Sequence, residues 1–377
     1  MRTRSILGMG AVGLALGGAA GIARASRHAT NRAIRDFVTW DRPATEWPTV
    51  NGIPAVSPAY FNHVELFGAF YAADADAIAR ELPSDGLHPV RLPDGRAVVF
   101  VAGLHYRDIT NPGFTGGMVP PYGEVMIAAM VSRGVAPPLL PLAGGVLPML
   151  KGWRAGMTPL FVPVTHRWAR DGGWAMGIPK FVADLDFEDD PTAREVSAAE
   201  GGRLILRLRV PVTAQARVLA QRMLTFAAHE GTLYEIDSPA FAHGMMGLRG
   251  NGAELELGDH EVSDDLRALG LRPRAIGTFV WTTGRLILPD WVAVDTARPI
   301  LRFRGADRWL GRYTIRYPGT APVDQYAYLT RDGLERAVVR GGGSLQADYG
   351  HLDDELGLAA PSRQAEPLAT LAGGRVG

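Results

Sequence analysis

The order of apolar and polar positions along this chain reads as short strands with few helices. Ala97–Leu104 is a nearly continuous apolar run, and Val125–Val131 and Leu160–Val164 are two more. Phe181–Phe187 alternates, with Phe181, Ala183, Leu185 and Phe187 on one face and Asp184 and Asp186 on the other. Leu204–Val210 alternates in the same way and turns Arg207 and Arg209 outward. Phe279–Thr283 and Leu286–Leu288 read as a late hairpin turning at Gly284. Helical spacing is rarer. Asp74 is placed to cap a helix with Ala75, Ile78, Ala79 and Leu82 on its apolar face. Residues 214–228 read as a second helix, and Ser263 is placed to cap a short third that Gly270 ends. Strands without regular helical crossovers predict a mainly β fold: a large antiparallel sheet, closed or strongly curved into a barrel, with helices at its periphery.

The ends of the chain have a different texture. Residues 1–35 contain no Asp or Glu, and Arg2 and Arg4 precede an uncharged run from Ile6 to Ile22. Ala23-Arg24-Ala25 follows. This is the pattern of a signal peptide cut after Ala25, or of an uncleaved N-terminal membrane anchor, and it predicts an exported or anchored extracytoplasmic protein. Gly8-Met9-Gly10-Ala11-Val12-Gly13 fits a dinucleotide fingerprint, but too few residues precede it for a strand and no acidic residue follows at the ribose-binding distance. Residues 26–59 read as an irregular lead-in spaced by Pro43, Pro48, Pro54 and Pro58. The barrel domain is expected over 60–292, a C-terminal extension over 293–358 and a disordered tail over 359–377. Residues 136–160 form a Pro-rich apolar stretch containing Lys151, read as a loop over the barrel or an oligomer contact.

Composition narrows the chemistry. The 377 residues are 47% hydrophobic and 21% charged with zero net charge, so no global field favours nucleic acid. There is no cysteine, which excludes disulfides, thiolate nucleophiles and iron–sulfur clusters. A P-loop, a nucleophile elbow and a zincin helix are all absent, and no cofactor or metal is called for. Only two of the 39 basic residues are lysine, Lys151 and Lys180. A codon bias toward arginine accounts for most of this imbalance; against it, a surviving lysine can mark a place where an amine able to lose its proton has a use.

Lys180 lies in Gly172-Gly173-Trp174-Ala175-Met176-Gly177-Ile178-Pro179-Lys180-Phe181, with Met176, Ile178 and Phe181 as apolar neighbours. Burial disfavours a charged amine and lowers a lysine pKa by as much as about 3–5. Lowering one from about 10.4 to about 7 costs on the order of 4.6 kcal/mol. The product is a nucleophile for carbonyl compounds. A lysine whose stem is covered and whose head reaches water would look the same in sequence.

The wider pattern resembles the acetoacetate decarboxylase-like superfamily. The resemblance runs from Glu65–Leu82 through Tyr122-Gly123-Glu124, Phe161-Val162-Pro163-Val164 and Gly-Ile-Pro-Lys180 to Gly258-Asp259-His260 and Leu286-Ile287-Leu288-Pro289. It implies that Lys180 forms a Schiff base with a β-keto acid or related carbonyl compound. It further implies that Glu124 is its polar partner, with Tyr122, Met176, Ile178 and Phe181 contacting the substrate and the chain assembling as a homo-oligomer. An activated lysine in acetoacetate decarboxylase is an established example of such chemistry. Phe181 stands where those decarboxylases have a second lysine, and Gly172-Gly173-Trp174 replaces their Gly-Arg-Glu. Val64 and Val101 fall where the family places a pocket arginine and glutamate. Two other readings stay open: a non-catalytic exported small-molecule-binding barrel, and a structural protein of the envelope.

Overall fold

The computed structural model describes residues 45–50, 53–111, 118–119, 121–134, 154–166, 169–170, 172–173, 176–212, 217–229, 231–248, 250 and 252–297. The expectations for residues 1–44, for 136–153 including Lys151, and for 298–377 lie outside these residues; 293–296, expected in the C-terminal extension, belong instead to a strand that pairs with the large sheet.

The strands in chain order are β1 (Thr45–Val50), β2 (Ile53–Ser57), β3 (Ala59–Ala73), β4 (Leu87–Pro89), β5 (Ala97–Thr110), β6 (Met118–Val119) and β7 (Tyr122–Arg133). They continue with β8 (Arg154–Val164), β9 (Lys180–Val182), β10 (Asp184–Asp190), β11 (Ala193–Glu200), β12 (Arg203–Pro211) and β13 (Arg217–His229). The last are β14 (Thr232–Leu248), β15 (Glu254–Leu257), β16 (Ala275–Leu288) and β17 (Val292–Thr296). Helix α1 spans Ala75–Glu81 and α2 spans Glu261–Ala268. The fold is mainly β. An 11-stranded sheet runs in the order β4-β7-β5-β3-β16-β14-β13-β8-β9, with β6 and β17 pairing to its side and a further pairing between β7 and β8. A four-stranded sheet, β10-β11-β12-β15, and the β1–β2 pair complete it.

The pleat sends alternate side chains to opposite faces, and each face has its own core. One core gathers Val101, Ile127, Phe161, Phe181 and Phe226 with the inner face of the small sheet, Val196, Leu206 and Leu208, and with Ile78 of α1 and Leu266 of α2. The other gathers Phe61, Val64, Leu66, Phe100, Leu104, Tyr106, Tyr122, Val162 and Trp281. The expected alternation at 181–187 holds: Phe181 and Ala183 lie in the first core, with Leu185 and Phe187 packed against it, while Asp184 and Asp186 are exposed. On β12, Leu206, Leu208 and Val210 are fully buried while Arg207 pairs outside with Glu256 and Glu195.

Four expectations are corrected. Residues 217–229 form strand β13, not a helix, antiparallel to β14 along its whole length. Its Ala, Leu, Met and Gln favour helix, but Leu224 and Phe226 enter one core while Met223 and Ala227 meet the other, so sheet packing overrides propensity. Phe279–Leu288 is not a hairpin but part of one strand, β16, bent by bulges between Trp281 and Leu286. The cap of α2 is His260, whose ring accepts from Val262 N; Ser263 instead donates to the Ile205 carbonyl. Within the lead-in, β1 and β2 form an antiparallel pair. The cap of α1 is Asp74, as expected, accepting from Ala77 N at 2.7 Å.

Candidate active site

Strand pairing assembles the site from three directions. Tyr122 and Glu124 are two apart on β7 and so share a face. Across the sheet Tyr106 of β5 lies opposite Tyr122, and Leu104 lies opposite Glu124. On the other side of β7, Val164 of β8 is opposite Glu124, and β9 runs parallel to β8 with Lys180 beside Val162. A tight segment delivers Lys180. Met176 N and Ile178 N both donate to the Gly173 carbonyl, and the Pro179 carbonyl accepts from Val162 N. Gly177 has φ +66°, and a Cβ there would fall 2.1 Å from the Ala228 carbonyl oxygen of β13. Only glycine suits that position.

The result is a buried ion pair. Lys180 Nζ lies 2.6 Å from Glu124 Oε2, with side-chain exposures of 7% and 2%. The ammonium also stands 5.4 Å from the Tyr122 ring centroid, within reach of the ring's negative face. The other carboxylate oxygen, Oε1, is 3.5 Å from the Tyr106 hydroxyl, at the outer limit of a hydrogen bond. Tyr106 and Tyr122 pack as a tilted pair with centroids 4.5 Å apart, and Phe61 packs on Tyr106 at 4.8 Å. Burial, then the Glu124 charge, pushes both phenols well above their ordinary range, so they remain neutral donors.

Lys180, Glu124 and Tyr122 are thus brought together. Ile178 is buried and Met176 half-buried in the same apolar cluster as the two tyrosines. Phe181 is not with them. It follows Lys180 on a strand and lies in the opposite core, so its apolar surface is not presented to the amine. Val64 lies on the site's face, opposite Tyr106, whereas Val101 belongs to the other core.

Two contributors escaped the sequence reading. Tyr106 depends on the β5–β7 register, which no local signal reveals. Gly173 is the second: a Cβ there would lie 2.4 to 2.9 Å from Cδ, Cγ and Cε of Lys180, so the bare backbone makes room for the lysine stem. The approaching segment also buries Arg170 completely and His166 nearly so. Among the described residues no cluster could hold a metal ion, and no helix is long and apolar enough to cross a membrane.

Residues 43–292 match the family model for acetoacetate decarboxylase. The chain belongs to this family. No curated protein matches it. Among solved structures, the acetoacetate decarboxylase from Legionella pneumophila is 16% identical, with a TM-score of 0.44, over 70% of this chain and 96% of that one. An acetoacetate decarboxylase-like enzyme from Sphingomonas wittichii RW1 is 15% identical, with a TM-score of 0.42, over 63% and 93%. The enduracididine biosynthesis enzyme MppR, complexed with the condensation product of pyruvate and imidazole 4-carboxaldehyde, is 16% identical, with a TM-score of 0.43, over 63% and 90%.

Proposed function

We propose that this chain is an imine-forming enzyme acting on a β-keto acid or related carbonyl compound through Lys180. The observation that carries the reading is the 2.6 Å contact between Lys180 Nζ and Glu124 Oε2 inside an apolar, tyrosine-lined site. Burying this pair costs free energy that well-packed apolar side chains would not, which supports a use for the amine beyond stability. In the same reading the large sheet closes as a barrel, for which the extra β7–β8 pairing is the support.

The chemistry follows from the contacts. Glu124 accepts a proton from the ammonium, leaving an amine lone pair. That pair attacks the carbonyl carbon, and the carbinolamine hydroxyl takes the proton back from Glu124 and leaves as water, giving an iminium on Nζ. With a β-keto acid, the C–C bond to the carboxylate breaks, carbon dioxide leaves and its electron pair is taken up by the iminium as an enamine. Protonation at carbon regenerates the iminium, and water releases the ketone and the amine. The Tyr106 and Tyr122 hydroxyls are neutral donors suited to the carbinolamine oxygen or the carboxylate of Glu124.

The same contact supports a second reading, an exported binding protein in which the pair stays ionised and inert. Borohydride separates the two. Incubation with a broad set of 2-oxo acids, 3-oxo acids, ketones and aldehydes at pH 6 to 8, followed by reduction, should leave a mass adduct on Lys180. Lys180→Arg should abolish it, since arginine keeps charge but lacks the nucleophile. Absence of any adduct on the unaltered chain would favour the binding protein.

A further inference from the structure

The face that carries Lys180 is lined mostly by apolar and aromatic side chains. Two cross-strand rows run along it. Val64, Tyr106 and Tyr122 lie opposite one another in one, and Trp281, Leu66, Leu104, Glu124 and Val164 in the other. Around the same cluster sit five partly buried methionines, Met126, Met130, Met176, Met223 and Met246. Thioether side chains adapt to apolar and aromatic ligands of varied shape. Among the described residues the ammonium on this face, Lys180, is paired with Glu124, and Arg170 makes an interaction of its own. In the same row as Glu124, the indole N–H of Trp281 is buried without a hydrogen-bond partner among the described residues.

We propose that the substrate is a neutral ketone or aldehyde bearing an apolar group of aromatic size, rather than a keto acid. This rests on the imine reading and narrows it. With a neutral carbonyl, the lysine–glutamate pair keeps zero net charge from ammonium to iminium. A carboxylate would add an uncompensated negative charge to a buried, low-dielectric site. Without carbon dioxide to lose, the iminium advances by giving up an α-proton. The C–H bond breaks, the proton passes to Glu124, and the electron pair becomes the enamine. Glu124 exchanges that proton with solvent and returns a solvent proton to the carbon, which reverses the step.

The test compares 4-phenyl-2-butanone, acetone, pyruvate and acetoacetate at equal subsaturating concentration, by borohydride trapping on Lys180 and by α-proton exchange in heavy water. The neutral aryl ketone should label Lys180 at least about tenfold faster than either acid, as expected if burying an unpaired carboxylate costs more than 1.4 kcal/mol. It should also exchange its α-protons, and Met176→Ala should shrink its advantage over acetone. Equal or faster labelling by the acids overturns the substrate class while leaving the imine reading intact. If nothing labels Lys180, the imine reading fails instead. Calorimetry on Lys180→Arg then decides the class: binding of the aryl ketone without the acids supports it, and no binding of the aryl ketone overturns it.

Discussion

Lys180 and Glu124 stabilise each other only as a pair. Removing either partner strands a charge in an apolar core, which costs about 3–5 kcal/mol. Urea denaturation should therefore show Lys180→Met and Glu124→Leu each strongly destabilised. The double variant should come back to wild-type stability or exceed it by about 1–4 kcal/mol, because well-packed apolar groups match or beat a buried ion pair. Such a result would mean that the pair is retained for something other than stability. Gly173→Ala tests positioning. The new methyl meets the lysine stem at 2.4 to 2.9 Å, so Nζ must move; the rate of Lys180 trapping should fall by about 10²-fold. The tyrosines set an alkaline limit. Their folded pKa values are raised, so the stability tied to their neutral form is fully present below the unfolded value near 10 and is lost as pH rises past it. Tyr106→Phe should flatten that alkaline loss in a pH series of urea midpoints, and an unchanged slope would contradict it.

Strands and helices were legible where burial on one face left a clear period. The alternation at Leu204–Val210 and the Asp74 cap both describe the observed β12 and α1. Strand β13 was not legible, because its residues favour helix and its strand state comes from pairing with β14. The β16 bend was misread for the related reason that a bulge and a turn look alike in sequence. At α2 the cap is a histidine, which a reading based on serine overlooks. His260 joins that helix to the β11–β12 hairpin: Nε2 donates to Glu200 Oε2 at 2.8 Å while Nδ1 accepts from Val262 N at 3.1 Å. His260→Ala removes the cap and leaves a buried carboxylate without this donor, and should cost about 2–4 kcal/mol in denaturant midpoint analysis. A loss below about 0.5 kcal/mol would show that the junction is held by something else.

The molecule is built from pairings between distant parts of the chain. β3 is the first strand of the large sheet in chain order and β16 nearly the last, yet they lie side by side for most of their length. The site likewise needs β5, β7 and β9 together with the sheet that aligns them. No short piece can fold with the site intact, so circular dichroism and tryptophan fluorescence should report coincident unfolding transitions for this region. From sequence, the mainly β fold and the Lys180–Glu124–Tyr122 set were accessible, because the family's motifs retain their order. The face on which Phe181 lies, the place of Tyr106 and the need for Gly173 were not, because each depends on register and close approach across strands.

The most direct measurement exploits the scarcity of lysine, Lys151 and Lys180 being its two instances. The chain is labelled with 15N at the lysine side-chain nitrogen and mixed with a ketone carrying 13C at its carbonyl. Nuclear magnetic resonance should reveal one nitrogen newly coupled to the labelled carbon, and Lys180→Arg should erase that signal. Two unshifted ammonium resonances, in the presence of carbonyl compounds shown to bind, would contradict the account.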